Sequence, residues 1–216
     1  MQTMADKKGR GQESRQRILD VAVVLFARHG YDRTGLRQLA MEAGVNLSMI
    51  NYFFGSKKKL LLEILDLFFS RYLEIAEQTL VVDGEYATRM RRFIYDSIMF
   101  FDDQRDYLLV AITELHRDDP EITEYKAGWG QQMVAIQEKQ FCLPLAEGGG
   151  AQLSAKLMTP LLTSIMASRF LFSPVMNQLT TVSVKSPDLA EYADTVADIF
   201  LNGCLTMDGL AMRQDR

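Results

Sequence analysis

Four side chains near the N-terminus have the types and spacing that read a base sequence. Ser48, Met49, Asn51 and Tyr52 fall at i, i+1, i+3 and i+4, one exposed face of an α-helix. A helix about 10–12 Å across fits the major groove of B-DNA. There an Asn amide pairs with adenine through two hydrogen bonds, and an apolar side chain such as Met touches a thymine methyl. Covalent chemistry finds no comparable set. His29, His116, Cys142 and Cys204 have no ligand spacing. Gly148-Gly149-Gly150 is not followed by the Lys-Ser/Thr of a phosphate loop. Glu114 with His116, and Asp118-Asp119, are too generic to form a defined acid–base pair. The expectation is a non-enzymatic protein with no metal and no cofactor.

That face needs a scaffold, and residues 36–54, LRQLAMEAGVNLSMINYFF, supply one. Two helices joined by a tight turn need a small residue at their contact, here Ala40, and a residue tolerant of positive φ, here Gly44. Val45, Ile50 and Phe53 or Phe54 then seat the second helix on the first. Upstream, Ile18, Ala22, Leu25 and Phe26 make one apolar helical face that ends at Gly30. Thr34 is the expected N-cap of the next helix, Asn46 of the third, and Ser56 of a longer fourth helix running to about Leu80. Short helical hairpins are common on their own, so charge has to decide what this one is for.

Residues 1–60 hold eleven Lys/Arg against five Asp/Glu, a net of +6, within a chain whose overall charge is −4. The rest therefore carries −10, so one end is suited to a polyanion and the other is not. Arg37, Tyr52 and Lys57 can hold phosphates beside the recognition face, and Thr34 can do so at a helix N-terminus. The remaining composition is that of a helical globular protein: 48% apolar residues, five prolines and two cysteines in 216 residues. The opening MQTMADKKGRGQESR has no apolar stretch of a secretory leader. The most apolar segment, 157–176, is interrupted by Pro160, Arg169 and Pro174. A cytoplasmic chain with no membrane span is the expectation.

Residues 17–60 resemble the DNA-binding domain of the TetR family of transcriptional regulators. The resemblance rests on Arg17-Gln-Arg-Ile-Leu-Asp-Val-Ala, Leu25-Phe26, Gly30-Tyr31, Thr34, Leu39-Ala40, Ala43-Gly44-Val45, Asn51-Tyr52-Phe53-Phe54, Ser56-Lys57 and Leu60. It implies DNA contacts at Thr34, Gly35, Arg37, Asn46, Ser48, Met49, Asn51, Tyr52 and Lys57. Gly35 stands where Ser or Thr is usual, which removes a hydroxyl. Ser48 replaces a Gly. Phe53 replaces a His or Tyr and cannot donate a hydrogen bond, so it is not counted as a contact. Lys58 and Lys59 stand where acids are common, which predicts stronger nonspecific attraction to DNA.

The expected architecture is all-α. A basic arm over 1–13 precedes a three-helix helix-turn-helix domain over 14–60 and a larger helical effector-binding and dimerisation domain over 61–216. Further helices are predicted over 86–102, 105–116, 120–145, 151–172 and 187–208, with a loop over 173–187. By the resemblance, the second domain binds a small apolar or amphipathic effector. Met90, Phe93, Phe100, Trp129, Met133, Met166 and Phe170 are the expected lining. The same side chains would also fill an ordinary helical core. Polar Glu114, His116, Tyr125 and Gln132 lie among them.

The last two long helices carry the expected homodimer face. Leu157, Leu161, Ser164, Ile165, Ser168 and Leu171 run along one, and Ala190, Ala193, Val196, Ala197, Phe200, Leu201 and Cys204 along the other. A symmetric dimer presents two recognition helices to double-stranded DNA at a spacing of one or more turns of about 34 Å, hence an inverted-repeat operator. The reading is a ligand-responsive repressor. The alternative is a regulator released by a protein partner, with no small-molecule effector.

Overall fold

The structure, a computed structural model, describes residues 4–143, 154–178 and 188–205. Among these residues there are nine α-helices and no strand: α1 Met4–His29, α2 Leu36–Glu42, α3 Leu47–Phe54, α4 Lys57–Leu80, α5 Tyr86–Asp103, α6 Arg105–Thr113, α7 Pro120–Gln137, α8 Ala155–Met176 and α9 Leu189–Leu205. A 3-10 turn, Glu114–His116, follows α6, and a π-helical turn, Glu138–Cys142, follows α7. No described helix is long and apolar enough to cross a membrane.

The chain forms two compact units, and their boundary is not the expected one at residue 60. The first runs to Phe69 and also takes in Gln104–Lys126; the second holds Ser70–Asp103 and the chain from Ala127 onward. The reason is packing: α6 lies on α1, which also contacts α2 and α3. Ile18, Ala22, Leu25 and Phe26 of α1 are buried, as are Leu39, Ala40, Ile50, Phe54, Leu108 and Val110. In the second unit α5 packs against α8 and α9, which also touch each other. Its core includes Phe93, Ile98, Phe101, Met166 and Phe200.

Three local expectations are corrected. Residues 4–13 are not a loose arm but belong to α1, which begins at Met4. Gly35, not Thr34, is the N-cap of α2. Helix α8 does not end near residue 172 but continues through Pro174 to Met176. Proline has no amide to bond the carbonyl four residues back. Here that carbonyl, on Phe170, accepts from the Ser173 hydroxyl at 3.2 Å. The expected Gly148–Gly150 break and residues 179–187 of the expected loop lie outside the described residues.

Candidate nucleic-acid interface

The turn between α2 and α3 closes as its sequence requires. Gly44 has φ +64°, a conformation L-residues with a Cβ seldom adopt. Beside it, the Val45 amide bonds the Ala40 carbonyl at 3.0 Å. The inner side of α3 buries Ile50 and Phe54. Its outer side leaves Ser48, Asn51 and Tyr52 exposed, with Met49 half-buried. Tyr52 is 83% exposed, with its ring edge-on to that of Phe53 at 5.1 Å between centroids. Asn46 occupies the N-cap of α3 by backbone geometry, yet its side chain makes no capping bond. Its amide is exposed.

At the start of α2, Gly35 and Arg37 are exposed. Thr34 is corrected as a phosphate contact through its hydroxyl. It is 1% exposed, and Oγ1 is 2.9 Å from the Gly30 carbonyl and 3.3 Å from that of Leu25, to which it donates. Thr34 therefore closes the α1–α2 turn from inside.

The first turn of α4 presents three lysines in three environments. Ser56 Oγ accepts the Lys59 amide at 3.1 Å, which caps the helix. Lys57 holds its Nζ 4.2 Å from the Tyr31 ring centroid and 6.0 Å from that of Phe26. Burial pushes its pKa down and that of Tyr31 up. Lys58 points to carboxylates, with Nζ 3.0 Å from both Asp119 and Glu121. Bonds to Glu121 and then Asp119 push its pKa up. The expectation that Lys58 adds attraction to DNA is thereby corrected, since protein acids already neutralise it. Lys59 is exposed.

A second cluster lies behind this edge, and no local motif announces it. Arg117, in the connection between α6 and α7, donates to both carboxylate oxygens of Asp32 at 3.0 and 2.9 Å. It also bonds Glu114 through Nε, and its guanidinium carbon sits 4.7 Å from the Tyr31 ring centroid. These bonds, with Glu114 first, push the Arg117 pKa up, and the Arg117 bonds push that of Asp32 down. Asp32 and Arg117 are 85 residues apart, so only the fold reveals the pair. Arg15 likewise stands 4.9 Å from the Phe54 ring centroid and pairs with Glu63 at 2.5 Å.

The expected effector residues divide. Met90, Phe93, Met133, Met166 and Phe170 are buried in the second unit, while Phe100 and Trp129 are half-buried. Phe93 and Phe170 join an aromatic cluster with Tyr72 and Phe101. Tyr72 lies 5.9 Å from Phe93 and 5.3 Å from Phe101, and Phe101 lies 6.3 Å from Phe170. Tyr72 shares a hydrogen bond of 3.2 Å with Thr163. A surface cleft of about 430 Å³ is lined by Glu77, Val81, Ala135, Ile136, Lys139 and Gln140, none of them an expected lining residue. Glu114 and Tyr125 have structural partners, Arg117 and Asp66. Gly128 and Gly130 sit within α7 with none of the described residues inside 4 Å of where a Cβ would stand, so no close approach among the described residues requires them.

The dimer stripe also divides. Leu157, Leu161 and Leu171 of α8 are exposed, together with Phe172, Val175 and Met176. On α9 the expected stripe is corrected: Ala193, Val196, Ala197, Phe200 and Leu201 face the core. Ile199, Asp198 and Asn202 are outside.

Comparison with known proteins agrees with this geometry. Residues 18–64 match the family model described as bacterial regulatory proteins, tetR family. The HTH-type transcriptional regulator AcrR of Shigella flexneri is 43% identical over 60 residues, 28% of each chain. An uncharacterized HTH-type transcriptional regulator in the dhlA 5′ region of Xanthobacter autotrophicus is 27% identical over 196 residues, 87% of this chain and 86% of its own. The fold matches the transcriptional regulator FadR of Bacillus subtilis, solved with stearoyl-CoA, with TM-score 0.68 at 17% identity over 87% of this chain and 98% of that one. The exposed α3 face, its positive-φ turn at Gly44 and these matches identify residues 18–64 as a helix-turn-helix like that of bacterial regulatory proteins of the tetR family, within the N-terminal unit.

Proposed function

We propose that the chain is a ligand-responsive transcriptional repressor that binds an inverted-repeat operator as a homodimer. The observation that carries this reading is the outer face of α3. Asn46, Ser48, Asn51 and Tyr52 are exposed there on a helix whose inner face is buried. Gly35, Arg37 and Lys57 flank it as phosphate contacts. The base-facing groups are amides, a hydroxyl and a phenol, which specify sequence, whereas the flanking cations position the helix on the duplex. The exposed leucines of α8 support self-association through that helix.

The effector in this reading is small and apolar or amphipathic. Buried Met and aromatic side chains of the second unit support it, because Met repacks around irregular ligands. Acyl-CoA thioesters are the first compounds to try, since a FadR of the same fold was solved with stearoyl-CoA. An effector acts here only through its different affinities for two arrangements of the protein.

The test is affinity selection of sheared genomic DNA on purified protein at about 0.15 M salt, where nonspecific binding is weak. The reading expects a few enriched fragments sharing an inverted repeat. A folded protein that enriches none, with and without a metabolite extract, overturns it.

A further inference from the structure

We propose that Arg117 is a positioning residue for DNA binding, fixing the α1–α2 turn from which the phosphate-facing edge of α2 begins. The inference rests on the operator-binding reading above and assigns a role to a residue far outside the helix-turn-helix. Its root is anchored: Glu114, which it bonds, is 3% exposed. Its fork is filled by both oxygens of Asp32, a side chain that is itself 75% exposed. An exposed carboxylate is thus tied to a fixed cation. The Tyr31 ring beside it has Arg117 4.7 Å and Lys57 4.2 Å from its centroid.

The same connection makes a second tie, because Asp119 and Glu121 hold Lys58 at the first turn of α4. Residues 117–121 therefore grip both segments that carry the flanking contacts: the turn before Gly35 and Arg37, and the helix start at Lys57. The pair with exposed Asp32 adds little to folding stability, whereas the bond to buried Glu114 contributes to it. A planar two-point grip does restrict orientation, and holding contact groups in place before binding raises affinity. The Asp32 arm of Arg117 should accordingly matter more to DNA binding than to stability, while the Glu114 arm anchors it.

The experiment uses the full chain and an operator fragment recovered by the selection above. Operator affinity and melting temperature are measured for the wild type, Arg117→Ala, Arg117→Lys and the double variant Arg117→Ala with Asp32→Asn. The expected result is a loss of operator affinity of about 5–20-fold in Arg117→Ala, 1–2 kcal/mol in binding, measured below a melting transition that falls because buried Glu114 loses its partner. The double variant stays weak and melts with Arg117→Ala, because the grip is gone even though the Asp32 charge is removed. Arg117→Lys, which keeps the charge without the fork, is also weakened, and it serves if the alanine variant does not fold. Wild-type affinity in Arg117→Lys and Arg117→Ala overturns the inference. Restoration by the double variant also overturns it, since Arg117 would then only cancel the Asp32 charge. A wild type that selects no operator sinks the functional reading instead, so the two failures are distinguishable.

Discussion

Lys57 carries its ammonium nitrogen 4.2 Å from the centroid of the Tyr31 ring, which joins the first turn of α4 to the α1–α2 turn. A cation seated on an aromatic face keeps its charge while losing freedom of motion. Lys57→Ala is expected to weaken binding to operator and to unrelated DNA by similar factors. The slope of log affinity against log salt falls by about 0.9, one phosphate contact. Titrations at several salt concentrations check this, and an unchanged slope rules out the contact.

Asn51 behaves differently. Asn51→Ala removes an exposed amide from α3 and leaves the packing of Ile50 and Phe54 intact. The expected loss is about 1–3 kcal/mol for the operator, with little change for unrelated DNA. Competition between operator and random duplex measures the ratio, and equal losses on both would make Asn51 a phosphate contact rather than a base reader.

Gly35 permits a gain. Its φ of −84° is ordinary for any L-residue, and none of the described residues lies within 4 Å of a Cβ placed there. Gly35→Ser therefore adds an N-cap hydroxyl to α2 without strain, worth a few tenths of a kcal/mol in stability. It also supplies a donor at the phosphate edge. Operator affinity rises severalfold, and a decrease would place this edge away from the backbone of the duplex.

Tyr72 gives a prediction in alkali. Burial pushes its hydroxyl up to about 12 from an ordinary 10.0. The folded chain keeps a proton that the unfolded chain releases between those values, so stability is complete below pH 10 and falls as pH rises towards 12. Tyr72→Phe loses the bond to Thr163, costing about 0.5–1.5 kcal/mol near neutrality. The gap between wild type and variant then narrows at pH 11. Urea unfolding at the two pH values measures it, and a constant gap removes Tyr72 from the alkaline transition.

Leu161 tests self-association. It is exposed on α8 with Leu157 and Leu171. Leu161→Asp is expected to convert a species of twice the chain mass to one of single mass in sedimentation equilibrium, with helix content unchanged. A variant that stays at twice the chain mass moves the dimer contact away from α8.

The sequence is most legible where periodicity acts locally. The face of Ile18, Ala22, Leu25 and Phe26, the turn at Gly44 and the cap at Ser56 all follow from neighbouring residues. Thr34 was misleading because the same hydroxyl can cap a helix ahead of it or close the turn behind it, and burial selects the second. The stripe on α9 is ambiguous in sequence because small residues suit a core as well as a helix contact, and burial selects the core. The Arg117–Asp32 pair was invisible because folding alone brings α6 onto α1.

Ser173 carries a consequence for shape. Its hydroxyl bonds the carbonyl that Pro174 leaves unmatched, and α8 gains a final turn that exposes Val175 and Met176. From Leu157 to Val175 the apolar ridge is about 27 Å long, against about 21 Å if it stopped at Leu171. The Ser173 hydroxyl, with the Asn177 amide bonded to the Ser173 carbonyl, thus supports the turn that lengthens this apolar ridge, and with it how far along α8 another surface has purchase.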